Sequence, residues 1–331
     1  MSRSSRAKPV PGAATAPPLP PADPVPRPVP DRLEASRTFV TVRDWVRYGT
    51  SRLAAAGTAF GHGTGDAYDE AVWLVCWSLA LPLDRYGDLA DARVTAVEAD
   101  RIIAVLERRC TRREPLAYVI GEAWLCGYRF HADARALVPR SPIAEAMTGG
   151  ALDPFLSDRP PRVVLDLCAG SASLAIIAAD RWPGATVVAS DNSAAALALA
   201  ARNVTLHEMG ERIRLVEADL YGGLRRQRFD LILCNPPYVN ARSMAGLAPE
   251  FQAEPRAALA GGADGLVLIT RIIAGARRHL EPDGLLVIEV GHEADAFERR
   301  FARTGHAWIP VAAGDRMLAA VRASGLPTGA G

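Results

Sequence analysis

Four strings in the second half of the chain combine residue types that can hold a nucleoside and an amino group. The apolar run VVLDL (163–167) passes into DLCAGSAS (166–173), where Gly170 lets a backbone approach a ligand at the start of a helix. TVVASD (186–191) ends in Asp191, about twenty residues after that turn, where a carboxylate accepts hydrogen bonds from ribose hydroxyls. IRLVEAD (213–219) ends in Asp219, and FDLILCN (229–235) runs into NPPY (235–238). The prolines lack N–H groups and fix φ, so NPPY reads as a rigid loop that presents carbonyl acceptors. Singly, each string has a plain explanation: an acid at a strand end caps a helix, and NPPY turns the chain. Their order on four successive strands carries the reading.

The elements that must position them are legible as a parallel sheet. Besides the four runs above, LLVIEVG (285–291), AWIPV (307–311) and RMLAAVR (316–322) read as strands, with helices in the gaps. The last two are too close for a helical crossover and predict a hairpin that adds an antiparallel strand. Ligands bind such sheets at the carboxyl ends of the strands, where all four strings lie.

Upstream, residues 1–36 are rich in proline from Pro9 to Pro30 and predict a disordered, partly polyproline II tail. Residues 37–114 predict a small helical domain. Its first helix is capped by Thr41, with Val42, Trp45, Val46 and Leu53 inward and Gly57 past its end. A second starts at Asp66, and a third spans 94–109 with Val97, Ile102, Val105 and Leu106 inward. Between Pro115 and Pro139 the sequence alternates, with Trp124, Cys126, Tyr128 and Phe130 at every second position, and residues 115–145 read as a hairpin linker. Trp45, Trp73, Trp77 and Trp124 are read as packing residues and His62, in FGHGTGD, as a turn residue. The catalytic unit then spans 146–323, with a flexible tail at 324–331.

The 331 residues hold 38 Lys+Arg against 37 Asp+Glu, a net charge of +1, so a phosphate-neutralising partner is not the leading expectation. Arg225, Arg226 and Arg228 are read as a solvated turn. The five cysteines (Cys76, Cys110, Cys126, Cys168, Cys234) form no CxxC pair or metal-ligand spacing, which predicts reduced thiols, no metal and a cytoplasmic protein. No apolar run reaches the roughly 20 residues of a membrane span.

DLCAGSAS, ASD, EAD and NPPY in this order resemble the class I S-adenosylmethionine-dependent methyltransferases that methylate amino groups. TVRDWVRYG (41–49), FGHGT (60–64), YVIGEAWLCGYRF (118–130), VPRSPIAE (138–145), EFQAEPRAALAGGADGL (250–266) and VIEVG (287–291) extend the resemblance. They resemble the bacterial protein-glutamine N(5)-methyltransferases, and within them the branch that modifies ribosomal protein L-three. The release-factor branch usually shows a PRPDTE-like string where this chain has PRSPIAE. The match covers about residues 38–322.

The resemblance implies an α/β fold of class I (Rossmann-like) type, with a seven-stranded mostly parallel sheet, a helical N-terminal domain (37–114) for substrate recognition and a hairpin linker. It implies S-adenosylmethionine as cofactor, held by Asp166, Cys168, Ala169, Gly170, Asp191, Asp219, Leu220 and Asn235. Asp191 would face the ribose and Asp219 the adenine. The substrate, a glutamine amide of ribosomal protein L-three, free or in an assembly intermediate, would meet Asn235, Pro236, Pro237, Tyr238 and Arg140. The Asn235 side-chain carbonyl and the Pro236 backbone carbonyl would accept both amide hydrogens, and Tyr238 would pack against the amide plane. Arg140 and Glu145 would lie near the cleft, in a stabilising interdomain role at least as readily as in substrate contact, while Glu254 and Pro255 would brace the loop after NPPY.

The family commonly has glycine at the positions of Cys168, Gly170 and Ala172, and only Gly170 remains. A left-handed conformation at Ala172 would cost about 1–2 kcal/mol, whereas a helical one would cost nothing. The alternatives are a release-factor glutamine methyltransferase, a DNA or rRNA exocyclic-amine methyltransferase, and a cofactor-binding assembly factor without turnover.

Overall fold

Alternation within single strands sets the layers of the catalytic unit in the computed structural model, which describes residues 29–156, 159–224 and 227–327. Strand β3 (Val163–Leu167) sends Val164 and Asp166 toward helix Ser173–Arg181, and Leu165 and Leu167 toward the opposite face. Strands β4 (Thr186–Asp191), β5 (Ile213–Glu217), β6 (Phe229–Cys234), β7 (Leu280–Glu289), β8 (Ala307–Val311) and β9 (Gly314–Arg322) complete a seven-stranded sheet, after the hairpin strands β1 and β2. Its order is β5-β4-β3-β6-β7-β9-β8, parallel except for β9, which runs antiparallel to both neighbours. The chain moves outward through β4 and β5, then returns to the other side of β3 as β6. That reversal opens a crevice at the carboxyl ends of β3, β4 and β6. Separate apolar clusters cover the two faces, one under helices Pro142–Thr148 and Ser173–Arg181, the other under helix Val267–His279.

The N-terminal unit packs helices Val42–Ala55, Ala67–Ser78 and Ala96–Arg112 around Trp45, Leu74, Ile102 and Leu106. Thr41 and Asp44 form a capping box, Asp66 caps the second helix, and Gly57 takes φ +61 just past the first. Trp45 and Trp73 are buried as read from the sequence.

Several expectations are corrected. Residues 32–36 belong to a helix, Arg32–Thr38, capped by Asp31 and anchored by the buried Ala35, rather than to a disordered tail. The expectation for residues 1–28 lies outside the described residues, as do Arg225 and Arg226; Arg228 donates to the Leu280 carbonyl. Val97 is 80% exposed instead of inward, because the apolar stripe of its helix runs through Ala99, Ile102, Ile103 and Leu106. Residues 324–327, expected in a flexible tail, instead hold to the sheet, with Leu326 buried, and the expectation for 328–331 lies outside the described residues. Helix Leu116–Ile120 packs into the N-terminal core and helix Pro142–Thr148 into the catalytic core, so the linker between them is shorter than 115–145.

In the hairpin, β1 (Glu122–Leu125) and β2 (Tyr128–His131) pair antiparallel around Cys126 and Gly127, at φ +49 and +84. A two-residue turn puts Ala123 opposite Phe130 and Trp124 opposite Arg129, so Trp124 is 45% exposed rather than packed. Asn203, fully buried, ties this hairpin to the catalytic unit. It accepts from the His131 N–H at 2.7 Å and donates to the Ser171 carbonyl at 3.1 Å.

Candidate active site

The crevice is lined by Asp166, Cys168, Ala169, Gly170, Asp191, Asp219, Leu220, Asn235, Pro237 and Arg140, all drawn from the sequence expectations. It holds about 1050 Å³ of atom-free space, counted out to its open mouth. Pro255, Ala257 and Ala258, from the segment after NPPY, form another part of its wall. Pro236 and Tyr238 do not line it. The Pro236 ring is buried, and the Tyr238 hydroxyl donates to Glu289 Oε1 at 2.8 Å. Glu145 is also absent from the lining and instead accepts from the Ala312 N–H at 2.7 Å.

The turn after β3 resolves the question raised by Ala172. Cys168, Gly170 and Ala172 take φ +63, +54 and +63, three left-handed residues at alternate positions. Glycine suits all three, and here two carry a side chain in strained backbone. The strain sits where the chain wraps the cleft. Ala172→Gly relieves about 1–2 kcal/mol of strain but loses a buried methyl worth about 0.8 kcal/mol and gains unfolded-state freedom of similar size. We therefore expect a stability change near zero by urea unfolding. Ala172→Val, which adds bulk and a β-branch to a fully buried left-handed position, should cost about 3 kcal/mol in the same measurement.

Asp191 is held by two backbone donors, Gly170 N–H to Oδ2 and Ser193 N–H to Oδ1, both at 2.9 Å. It thus joins the turn to the next strand end. Asp219 is more than half exposed and pairs with Arg271 at 2.7 Å. Asn235 follows β6, half-buried, and makes no side-chain hydrogen bond to another residue among the described residues.

Asp166 is 1% exposed; its Oδ2 accepts from Ala175 N–H at 2.9 Å, but Oδ1 has no partner among the described residues. Burial, opposed by the Ala175 hydrogen bond and reinforced by Asp191, pushes its pKa up to about 7. An orphaned buried carboxylate oxygen asks for a proton or a cation. The ammonium and sulfonium groups of S-adenosylmethionine meet that demand, so the residues present fit this cofactor.

The linkage has a definite sign. The native carboxyl holds a proton that the unfolded chain, near pKa 3.9, has released. Its stabilisation is complete below pH about 4 and is lost as pH rises through about 7, by about 4 kcal/mol in total. Bound cation favours the ionised form and reverses the trend. Calorimetric affinity for S-adenosylmethionine should therefore tighten about tenfold between pH 5.5 and 8, and the unliganded protein should lose stability over the same range. Equal affinity at both pH values would refute this assignment.

The NPPY loop is fixed by close backbone approaches. A Cβ at Gly261 would sit 2.7 Å from the Tyr238 backbone, and one at Gly265 would overlap the Tyr238 carbonyl. A Cβ at Gly291 would strike the Tyr238 ring. Gly261, Gly265 and Gly291 are thus explained by the packing of one tyrosine, whereas Gly262, at φ +89, lies against Val267. Glu289, 3% exposed, receives the Tyr238 hydroxyl and, at 2.6 Å, the Ser141 hydroxyl. Burial raises its pKa against those two hydrogen bonds.

Sequence reasoning reached Glu254 but missed the rest of the clamp behind the cleft wall. Glu250, fully buried in helix Pro249–Gln252, accepts from Arg109 at 2.9 Å, from Arg113 at 2.6 and 3.1 Å, and from Ala59 N–H at 3.2 Å. Burial acts to raise its pKa, but the Arg113 and Arg109 hydrogen bonds win and hold it at about 2. Arg109, also fully buried, reaches Glu70 at 2.6 Å. Glu254 takes a two-pronged contact from Arg140 at 2.5 and 2.8 Å and a third bond from Val138 N–H. His62, read as a turn residue, is 2% exposed; its Nε2 lies 3.3 Å from Glu254 and its ring packs on Phe251. Of this cluster the sequence marks Glu254, as a brace of the loop after NPPY, and Arg140; Glu70, Arg109, Arg113 and Glu250 read there only as isolated charges. Arg140 spends its guanidinium on Glu254, with Phe251 beneath it, which makes it a brace of the cleft.

Residues 44–121 match the family model described as PrmC N-terminal domain, and residues 151–268 the one described as Methyltransferase small domain. The chain is 48% identical over 302 residues to the ribosomal protein uL3 glutamine methyltransferase of Burkholderia pseudomallei, covering 88% of this chain and 98% of that one. It is 48% identical over 285 residues to the protein of that name from Bordetella pertussis, covering 85% and 95%. With the one from Bradyrhizobium diazoefficiens it shares 44% over 277 residues, covering 82% and 87%.

Proposed function

This chain belongs to the family of ribosomal protein uL3 glutamine methyltransferases, and from that premise we infer that it methylates the side-chain amide nitrogen of a glutamine in uL3. S-adenosylmethionine supplies the methyl group, carried on a sulfonium sulfur. The observation that carries the reading is the single crevice lined both by Asp166, Gly170 and Asp191 and by Asn235 and Pro237.

An amide nitrogen is a weak nucleophile because its lone pair is delocalised into the carbonyl, while its NH2 offers two donors. In our reading the Asn235 side-chain carbonyl accepts one of those hydrogens from the crevice wall, and the Pro236 backbone carbonyl accepts the other once substrate seats on the loop, although Pro236 is not itself among the lining residues. The prolines and the glycine-locked Tyr238 make that loop stiff, so the acceptors need little reorganisation. Tyr238 acts through this rigidity, because its hydroxyl is committed to Glu289. Acceleration comes from proximity and fixed dipoles; the proton becomes acidic once the nitrogen is alkylated and leaves to water.

Asp191 would accept from ribose hydroxyls with its remaining lone pairs, and Asp166 would neutralise the cofactor's cationic end. A glutamine must enter a walled crevice, which favours uL3 that is free or in an assembly intermediate over uL3 packed inside a finished ribosome. On this reading the enzyme acts on newly made uL3 in the cytoplasm. No helix among the described residues is long and apolar enough to cross a membrane.

The test incubates the protein with uL3 from cells lacking the gene and labelled S-adenosylmethionine. Peptide mass spectrometry should then find one added methyl on one glutamine. Label in RNA, or none in uL3, would overturn the reading.

A further inference from the structure

A second groove lies in the N-terminal helical unit, between the start of helix Ala67–Ser78, the turn at Leu83–Arg85 and the hairpin strand β1. It holds about 1060 Å³ of atom-free space, counted out to its open mouth. Tyr68, Trp73, Tyr86 and Trp124 line it, together with Asp69 and Asp84. Tyr68 is 50% exposed, Trp124 45% and Leu83, beside them, 46%. Large apolar side chains gathered on one exposed groove mark a binding surface more than chance scatter does.

The charge on this groove has one sign. Among the described residues no lysine or arginine lines it, and the nearby Arg43 and Arg85 are engaged by Asp91 and Asp88. Asp69 and Asp84 are exposed and have no ion-pair partner among the described residues. Ring faces beside uncompensated carboxylates fit arginine or lysine side chains: the rings take the cation and its methylene stem, and the carboxylates take the charge. The same carboxylates repel a phosphate backbone. The groove also adjoins the catalytic cleft through the clamp. Gly63 and Thr64 on its rim follow His62, which contacts Glu254 and Phe251, and the next residue, Pro255, lines the cleft.

We propose that this groove is a docking surface for an extended basic segment of the protein substrate, engaged while the target glutamine occupies the cleft. The inference rests on uL3 being the substrate. A ribosomal protein must neutralise RNA phosphates and so carries such segments.

The test uses the full chain with two substrates, whole unmodified uL3 and a short synthetic peptide bearing only the target glutamine. The double variant Tyr68→Ala, Asp84→Lys changes exposed side chains, and an unchanged melting temperature verifies its fold; Trp124→Ala provides a second variant. KM for whole uL3 should rise about tenfold with kcat unchanged, whereas the peptide's constants and the S-adenosylmethionine affinity stay within about twofold. An unchanged KM for uL3 overturns the proposal. An equal rise for the peptide does so too, because it reports a distorted cleft. Deleting residues 1–28 tests the chain's own proline-rich segment as the occupant: if that deletion abolishes the effect of the groove variants, the proposal fails. Should the unaltered chain transfer nothing to uL3, the reaction assignment fails by itself. Calorimetric binding of uL3 to the same variants then decides the groove.

Discussion

Replacing Asn235 by alanine should lower kcat for uL3 methylation about 10²–10³-fold, the range seen when one preorganised hydrogen-bonding group is removed from a reacting centre. The fold should not register the change. Asn235 is half-buried on a loop, and its amide bonds to no other residue among the described residues, so truncation strands no partner. The melting temperature and the S-adenosylmethionine affinity should therefore stay near those of the unaltered chain. Asn235→Asp separates the chemistry further. If the side chain works by accepting hydrogens from the substrate amide, a carboxylate can still accept them and should retain more turnover than alanine. If instead the NH2 group of Asn235 mattered, both variants would be equally impaired. Transfer by the alanine variant within about threefold of normal would remove Asn235 from the centre of the reaction.

That this asparagine could be singled out from the sequence has a physical basis. Strands buried on both faces read as unbroken apolar runs, and β3, β4 and β8 fall on the residues that the runs predicted. A parallel sheet concentrates its ligand-facing residues at strand ends, so the chemistry-bearing types stand next to the clearest secondary-structure signal. Local backbone detail was harder to read. The hairpin's alternation looked continuous from Trp124 to Phe130, but a two-residue turn between β1 and β2 reverses the direction and brings Ala123 to Phe130's face. Ala172 could be framed only as an alternative, because the sequence does not state whether a residue after a strand is left-handed or already helical.

Least legible were pairings between distant charges. Glu250 and Arg109 lie 141 positions apart, and each alone reads as an ordinary surface charge. Only the docking of the two units brings them together, with Glu70, into a space that water does not reach. Arg109→Met should accordingly cost about 3–5 kcal/mol of stability in urea unfolding, the typical penalty for removing one partner of a buried ion pair. Glu250 would keep Arg113 and stay satisfied. Glu70, 2% exposed, would keep only the Thr64 hydroxyl, and burial already raises its pKa against the pull of Arg109. The cost thus arises mainly at Glu70. The double variant Arg109→Met, Glu70→Leu, which removes both charges, should recover about half of the loss. No recovery would show that the arginine's contribution lies at Glu250 instead. The segment held by Glu250 leads into Pro255, Ala257 and Ala258 of the cleft wall. The single variant should therefore also raise KM for uL3 at temperatures where it remains folded, with the affinity for S-adenosylmethionine unaffected. A variant as stable as the unaltered chain would mean that the two units hold that wall without the clamp.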